Sequence, residues 1–271
     1  MAVQDKVSIW LSYQHEFGEN LALTADEGAL KQVIAKTKAT NSLCQKATTS
    51  VQDNRVQQSD TKSVQVAHVQ IQREGSHSVN EDLEALKREL CAYDGCALKA
   101  MAQTTVFADG DPTSNIMFIG EAPGAEEDKQ GLPFVGQSGQ LLNKMIEAIG
   151  LTRDSVYITN VVNWRPPGNR PPTPEEVEQC WPFLKRHIDV ISPQFIVLLG
   201  STAMKGVLKL THSLSQARGF FHRYPLPNGE AKVLVTFHPS YLLRVPSQKR
   251  LAWEDFLMIK GALNTIYRAP D

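Results

Sequence analysis

Apolar runs and amphipathic stretches alternate along the last two-thirds of the chain. The continuous apolar runs are typical of strands that are buried on both faces, and the amphipathic stretches are typical of helices that cover a sheet. The predicted strands are NIMFIG, SVYITNVV, FIVLLG and KVLVTFHP, and helices such as SGQLLNKMIEAIG and TPEEVEQCWPFLKRHIDVI separate them. This alternation predicts an α/β domain of three layers, with helices on both faces of a central, mostly parallel four-stranded sheet.

The first 80 residues show a different pattern. Residues 5–36 have the apolar spacing of helices, whereas residues 37–80 are rich in Gln, Ser and Thr and have no usable period. The second composition is typical of a flexible linker, because it offers too few apolar side chains to form a core. We therefore expect an N-terminal helical segment (1–36), a linker (37–80) and the α/β domain (81–271).

Composition and charge exclude few classes of function. The formal net charge is −1, which gives no sign of nucleic-acid binding, although a local patch can still contact phosphates. Four scattered cysteines are too few for a disulfide framework, so reduced thiols are expected, with a metal or iron–sulfur site as the alternative. The sequence has no apolar run of about 20 residues and no signal-peptide pattern. We therefore expect a cytoplasmic protein that does not bind membranes.

Candidate chemistry lies where the predicted strands end, because ligands of parallel sheets bind at the carboxyl ends of the strands. Those positions hold Glu121, Asn160, Gly200 and His238. The loop after the first strand, GEAPGAEED, carries carboxylates where a phosphate-binding loop would favour positive charge. No G-x-G-x-x-G or G-K-[ST] loop follows a strand, so a nucleotide-binding protein is the weakest interpretation.

Several motifs in register resemble the uracil-DNA glycosylase superfamily, most closely its family 4. They are GEAPGAEEDKQGLPFVGQSGQLL, VYITNVVNWRPPGNRPPTPEE, VLLG and TFHPSYLLR, and the resemblance covers roughly residues 83–258. It implies a monomeric enzyme that flips uracil out of single- or double-stranded DNA and hydrolyses its N-glycosidic bond, which leaves an abasic site for base-excision repair. The alternative is a non-catalytic module that binds uracil or damaged DNA.

The resemblance assigns two catalytic residues. Glu121 would orient the attacking water and stabilise the positive charge that develops on the sugar, as carboxylates do in glycosidases. The alternative is that Glu121 caps a helix or pairs with an arginine. His238 would face uracil O2 and stabilise the departing base anion.

The resemblance also assigns the uracil pocket. Phe134 would stack on the flipped base, and the amide of Asn160 would match uracil O4 and N3–H, whereas cytosine presents the reversed pattern. Glu127 would wall off the C5 edge against the methyl group of thymine, unless it belongs to a solvated acidic loop. Ala122 completes the predicted pocket. We interpret Glu126 and Asp128 as loop charges.

The same resemblance implies a surface that contacts DNA. In SYLLR, one apolar side chain would fill the space left by the flipped nucleotide, and an arginine would contact a phosphate. The predicted DNA-binding residues are Arg165, Asn169, Arg170, Ser240, Tyr241, Leu242, Leu243 and Arg244. Arg218, Lys249 and Arg250 would add positive charge from loops at strand ends.

The sequence departs from family 4 in its cysteines. Members commonly carry a [4Fe–4S] cluster on four cysteines, and here only Cys96 and Cys180 match ligand positions. Tyr93 and Trp164 stand at the other two, so we predict no cluster and no other cofactor or metal, with aromatic packing in its place. In a related branch, a histidine bonds covalently to DNA near the position of Asn169, and this asparagine predicts ordinary turnover instead.

Overall fold

The computed structural model describes residues 78–267, and the side chains of residues 78–264. The predicted N-terminal helical segment and nearly all of the predicted linker lie outside the described residues, so the three-part division stays a prediction. The strands of the described part are β1 (Asp109–Gly110), β2 (Ile116–Gly120), β3 (Tyr157–Asn160), β4 (Phe195–Leu199), β5 (Phe221–Leu226) and β6 (Gly229–Thr236). Its α-helices are α1 (Val79–Ala92), α2 (Ala125–Gln130), α3 (Gln137–Ala148), α4 (Pro174–Ile191), α5 (Ser201–Leu208), α6 (Leu214–Ala217), α7 (Pro239–Arg244) and α8 (Lys249–Tyr267).

The six strands form one sheet in the order β1-β3-β2-β4-β6-β5. The inner four strands are parallel and are the four that the sequence predicted. The prediction of four strands was wrong at the two edges, where β1 and β5 pair antiparallel. Strand β1 has two residues, too few to show a period, and β5 is half exposed and contains Pro225, which is tolerated at a sheet edge.

Successive side chains of each inner strand enter two separate cores. In β2, Ile116 and Phe118 pack with residues of α3 and α8, whereas Met117 and Ile119 pack with residues of α1, α4 and α5. Every residue of β2 and β4 is buried, so both faces of the sheet centre are covered. The predicted three-layer α/β architecture is confirmed.

Local signals place the helices that border the site. Thr173 caps α4 by accepting a hydrogen bond from the backbone N–H of Glu176, and Pro174 occupies the first turn, as predicted.

Within residues 78–267, no helix combines the length and the apolar character that a membrane span requires.

Candidate active site

A cavity of about 950 Å³ opens at the carboxyl ends of the inner strands. The strand-end loops converge there because the four inner strands are parallel. The predicted site residues that line it are Glu121, Ala122, Glu127, Phe134, Asn160, Asn169, Arg170, His238, Ser240, Tyr241, Leu243 and Arg244. Two predicted residues, Arg165 and Leu242, are not part of its lining.

Asn160 forms part of the cavity floor. Its side chain is only 2% exposed, and its Oδ1 has no hydrogen-bond partner among the described residues. Gly120 lies beside it in the neighbouring strand, and a Cβ atom at Gly120 would overlap both Asn160 Oδ1 and the ring of Phe134. Because a buried oxygen without a partner is costly, this amide is arranged for a ligand that supplies a donor.

Phe134 lies at the same floor in an unusual backbone conformation. Its φ of 54° falls in the left-handed region, which is uncommon for a residue with a side chain. The ring is nearly buried, and its centroid lies 5.6 Å from that of His238 with 32° between the planes. An aromatic face therefore lies next to the histidine and the asparagine.

Glu127 braces two loops of the site. Its Oε1 accepts hydrogen bonds from the backbone N–H groups of Val135 (3.0 Å) and Gly136 (2.8 Å), and its Oε2 accepts one from Gly124 (3.1 Å). The alternative of a solvated acidic loop was wrong for this residue. Its predicted role at the uracil C5 edge stays a prediction.

Asp128 is not the loop charge that the sequence indicated. It is 2% exposed, and Oδ1 accepts hydrogen bonds from the backbone N–H groups of Gln103 (2.9 Å) and Thr104 (3.1 Å). Its carboxylate therefore fastens α2 to the segment before β1, which the sequence could not reveal because the partners lie about 25 residues away. Glu126, in contrast, is exposed and pairs with Lys129 at 3.0 Å.

Glu121 follows β2 and is held by the helix after β4. The hydroxyl of Thr202, in the first turn of α5, donates a hydrogen bond to Oε2 of Glu121. This contact, rather than the alternative arginine pair, is the side-chain partner of the carboxylate, and it leaves Oε1 for other contacts. Sequence reasoning missed Thr202, although its place two residues after the strand-end Gly200 was a usable signal.

His238 ends the loop after β6 and caps α7. Its Nδ1 accepts a hydrogen bond from the backbone N–H of Ser240 at 3.2 Å and lies 2.8 Å from the Ser240 hydroxyl. Burial, together with the positive charge of Arg244, lowers the pKa of His238 to about 4. The imidazole is therefore neutral near pH 7, and its proton lies on Nε2.

The structure separates the apolar residues of SYLLR. Leu242 is 1% exposed and packs in the core with α3 and α8, so its predicted contact with DNA was wrong. Tyr241 is half-buried and stacks on Phe237, with ring centroids 5.4 Å apart. Leu243 is 41% exposed at the cavity mouth and is followed by the exposed Arg244. The helical turn of α7 causes this division, because neighbouring residues point to different sides.

The predicted basic residues differ in whether a neighbouring carboxylate neutralises their charge. Arg170 forms two hydrogen bonds to the carboxylate of Glu176, at 2.8 and 2.6 Å, which also raises the pKa of Arg170. Arg165 donates from Nε to Asn169 Oδ1 at 2.8 Å and keeps its charge uncompensated in this contact.

Arg218 does not contribute to the surface charge as predicted. Its side chain is 13% exposed and binds the fully buried Asp255 at 2.9 Å, so this prediction was wrong. Lys249 and Arg250 lie in α8 rather than in a strand-end loop, and Arg250 pairs with Glu254 at 3.3 Å.

The residues near the expected iron–sulfur position do not fit a [4Fe–4S] cluster. Cys96 and Cys180 are both buried, and burial together with the neighbouring Cys96 raises the pKa of the Cys180 thiol to about 12. Trp164 is 1% exposed and donates from Nε1 to Thr105 Oγ1 at 3.0 Å, so its ring fills this region. The ring of Tyr93 packs on Phe183 at 4.9 Å.

Cluster binding needs four thiolates, and this corner offers two thiols, of which Cys180 resists ionisation. Within residues 78–267, no group of three or more His, Cys, Asp or Glu side chains is placed to hold a metal ion. Cys44 lies outside the described residues. The predicted lack of a cluster therefore stays a prediction.

Comparison with known proteins adds to this geometry. The family model of the Uracil DNA glycosylase superfamily matches residues 107–257. The Type-4 uracil-DNA glycosylase of Sulfurisphaera tokodaii is 40% identical over 185 residues, which cover 66% of this chain and 84% of that protein. The proteins of the same name from Thermotoga maritima and Archaeoglobus fulgidus are 41% and 38% identical, over 94% and 92% of their lengths and 67% and 66% of this chain.

Proposed function

The chain belongs to the uracil-DNA glycosylase superfamily, and from this premise we infer that it excises uracil from DNA in DNA repair. It is a glycosylase that hydrolyses the N-glycosidic bond between the base and the deoxyribose. The cavity at the strand ends supports this function, and the single observation that carries most weight is the buried Oδ1 of Asn160. That orphan acceptor is matched by the N3–H donor of uracil, and the amide Nδ2 is matched by uracil O4.

In the proposed pocket, the base lies against Phe134 with its Watson–Crick edge on Asn160. Cytosine would present an acceptor at N3 to Asn160 Oδ1 and would leave this buried oxygen without a donor. Stacking on Phe134 contributes about 1–3 kcal/mol for any base, so it favours binding without selecting uracil. The asparagine therefore supplies the distinction between uracil and cytosine. Glu127 and Ala122 complete the pocket at its rim.

In the proposed reaction, the bond between C1′ and uracil N1 breaks with its electron pair on the base. Positive charge develops on the sugar ring, and Glu121 stabilises it and orients a water molecule toward C1′. The water oxygen forms the new bond to C1′ and releases a proton. The neutral imidazole of His238 donates its Nε2 hydrogen bond to uracil O2, which stabilises the leaving anion without a net charge on the histidine.

The proposed DNA surface surrounds the cavity mouth. Leu243 is the exposed apolar residue that would enter the base stack after flipping, and Arg244 next to it would contact a phosphate. Arg165 keeps its charge available for the backbone of the DNA, with Asn169 beside it. Arg170 would contribute less, because Glu176 already neutralises its charge. Tyr241 and Ser240 would hold this surface in place, since Tyr241 stacks on Phe237 and Ser240 contacts Nδ1 of His238.

Several properties remain part of the proposal. We propose that the enzyme works as a monomer, that it accepts single- and double-stranded DNA, and that it acts in the cytoplasm, where its substrate would lie. We also propose that it works without an iron–sulfur cluster, since Trp164 and Tyr93 occupy the corner where two further thiolates would be needed. Asn169 supports hydrolysis with turnover rather than a stable bond to DNA.

The test is cleavage of an oligonucleotide with one uracil, followed by alkali to break abasic sites. Wild type should give alkali-dependent cleavage, and Glu121→Gln should reduce the rate by about 10²–10⁴-fold, as expected for a charge that acts mainly in the transition state. Glu230→Gln is the matched control, because Glu230 is exposed on the β5–β6 hairpin and pairs there with the exposed Arg223. Oligonucleotides with thymine or cytosine at the same position should stay intact.

An inactive wild type that still binds uracil-containing DNA selectively would identify a non-catalytic binding module instead. Equal rates for wild type and Glu121→Gln would remove Glu121 from the mechanism.

A further inference from the structure

Arg153 forms an unusually complete set of contacts behind the aromatic residue of the pocket. It follows α3 in a short 3₁₀ turn, and its side chain is 19% exposed. Its Nη2 donates a hydrogen bond to the carbonyl of Pro133 at 2.6 Å, and its Nη1 donates one to the carbonyl of Phe134 at 3.0 Å. Its Nη1 also binds Asn143 Oδ1 at 3.0 Å, and its Nε binds Asp109 Oδ2 at 2.7 Å.

These contacts complement those of Glu127 on the same loop. Arg153 donates hydrogen bonds to the carbonyl groups of Pro133 and Phe134. Glu127 accepts hydrogen bonds from the next two backbone N–H groups, those of Val135 and Gly136. The guanidinium thus binds the negative ends of the peptide dipoles and the carboxylate binds the positive ends. The pair forms a clamp of opposite charges around one residue.

The clamp surrounds a backbone conformation that needs support. Phe134 has a φ of 54°, which a residue with a Cβ atom adopts only at an energetic cost, and such a conformation persists when its surroundings fix it. On the other side, the Phe134 carbonyl lies against α3 so closely that a Cβ atom at Gly139 would overlap it. Without the clamp, the loop could relax to an extended conformation and carry the ring away from Asn160.

We propose that Arg153 is a positioning residue for base binding: it holds Phe134 in the left-handed conformation that points its ring into the uracil pocket. Arg153 does not line the cavity, so its influence on the base passes through Phe134. This inference rests on the proposed function, because it requires that the cavity bind uracil. It also gives Glu127 a second task, since its carboxylate closes the clamp from the opposite side.

The test is a double-mutant cycle on the uracil-excision reaction, with kcat and KM measured for wild type, Arg153→Met, Phe134→Ala and the combination of the two. Arg153→Met should lower kcat/KM about tenfold or more. Phe134→Ala should lower it at least as much, and the double variant should be no slower than Phe134→Ala alone. Arg223→Met is the matched control, because Arg223 is 80% exposed on β5 and should leave the rate unchanged.

A merely structural role of Arg153 would give a different pattern. The losses of the two single variants would then multiply in the double variant, which would overturn the proposal, as would a normal rate for Arg153→Met. If Arg153→Met does not fold, Asp109→Asn replaces it in the cycle, because this change weakens the ionic support of Arg153 and retains the arginine. In that cycle too, the proposal requires that the double variant lose less kcat/KM than the product of the two single losses.

An inactive wild type would refute the proposed function itself. An active wild type with an unaffected Arg153→Met variant would refute the clamp alone.

Discussion

The backbone N–H of Ser240 donates a hydrogen bond to Nδ1 of His238 at 3.2 Å. A backbone amide can only donate, so this contact fixes Nδ1 as an acceptor and leaves the ring proton on Nε2. Burial lowers the pKa of His238 to about 4, and the charge of Arg244 acts in the same direction. The histidine therefore reaches the cavity as a neutral donor whose tautomer is set by the turn that begins α7.

This arrangement predicts how His238 affects the pH dependence of kcat. An ordinary histidine would add an inflection near pH 6.5, but His238 should add none there, because its imidazole stays neutral until the pH approaches about 4. His238→Leu should lower kcat by about 10²–10³-fold across this range, since the donor to the leaving anion is lost. The measurement is a pH–kcat profile from pH 5 to 8 for both proteins.

Ser240→Ala is the control, since it removes the hydroxyl and keeps the backbone donor. Its kcat should stay within about tenfold of wild type, because one of the two contacts to Nδ1 remains. A wild-type inflection near pH 6.5 that disappears in His238→Leu would contradict the neutral-donor role.

The hydrogen bond from Thr202 to Glu121 predicts a second effect on catalysis. Thr202→Val keeps the shape of the side chain but removes the donor, so the carboxylate loses one of its restraints. We expect kcat to fall about tenfold with little change in KM, because hydrogen bonds to charged groups contribute roughly 1.5–3 kcal/mol and this one orients a group that acts on the transition state.

Thr202→Ser is the matched variant, because it retains the hydroxyl and should restore most of the rate. Steady-state kinetics on the uracil oligonucleotide would separate kcat from KM. A serine variant as slow as the valine variant would show that the methyl group, rather than the hydrogen bond, matters.

The sequence predicts the residues of the site better than it predicts the residues that hold them in position. Glu121, Asn160 and His238 could be found because each one lies at the carboxyl end of a strand or within two residues after it, and parallel strands bring these ends together. Asp128 and Arg153 could not be assigned a function, because their partners lie in segments that only the fold brings near. Leu242 and Leu243 are equivalent in the sequence, and only the rotation of α7 shows which one is buried.

The packing around Gly120 predicts that this position tolerates no larger residue. A Cβ atom there would overlap Asn160 Oδ1 and the ring of Phe134, so Gly120→Ala must displace both of them. Overpacking of this kind costs about 1–3 kcal/mol, and if this cost falls on the base-binding groups, KM for uracil-containing DNA should rise by about 5- to 150-fold.

Gly261→Ala in α8 is the matched control, because an added Cβ atom there comes within 4 Å of no described atom outside the backbone of its own helix. It should leave KM unchanged and should slightly increase stability, since alanine favours a helix interior. A Gly120→Ala variant with the KM of wild type would mean that the pocket floor adapts without cost to base binding.

The different environments of Leu242 and Leu243 predict opposite phenotypes. Leu242→Ala empties a core position and should lower the free energy of unfolding by about 2–5 kcal/mol. Leu243→Ala should leave stability nearly unchanged but should lower the excision rate on double-stranded DNA about tenfold, because the flipped state loses its filler of the base stack.

Urea denaturation and excision assays on matched single- and double-stranded oligonucleotides would separate the two effects. Single-stranded DNA should be processed by Leu243→Ala at nearly the wild-type rate, because no duplex has to be opened. An equal loss on both substrates would instead assign Leu243 a contact within the nucleotide pocket.

A buried histidine far from the reaction predicts how stability depends on pH. His187 is 2% exposed, stacks on Phe107 with ring centroids 4.5 Å apart, and forms a 2.7 Å hydrogen bond with the hydroxyl of Tyr157. Burial lowers the pKa of His187 to about 3. As the pH falls below about 6.5, the unfolded chain binds a proton that the folded protein refuses, so the free energy of unfolding falls until the pH approaches about 3.

Urea denaturation between pH 6.5 and 4.5 should therefore show a loss of stability to which His187 contributes on the order of 2 kcal/mol. The double variant Tyr157→Phe/His187→Phe removes both hydrogen-bond partners together, which leaves no buried polar group unpaired and should cost little at pH 7. Its loss of stability over the same pH range should be smaller than that of wild type by this contribution, because the carboxylates and the other histidines titrate alike in both proteins. Parallel curves for the two proteins would mean that the folded chain accepts a proton at His187 as readily as the unfolded chain does.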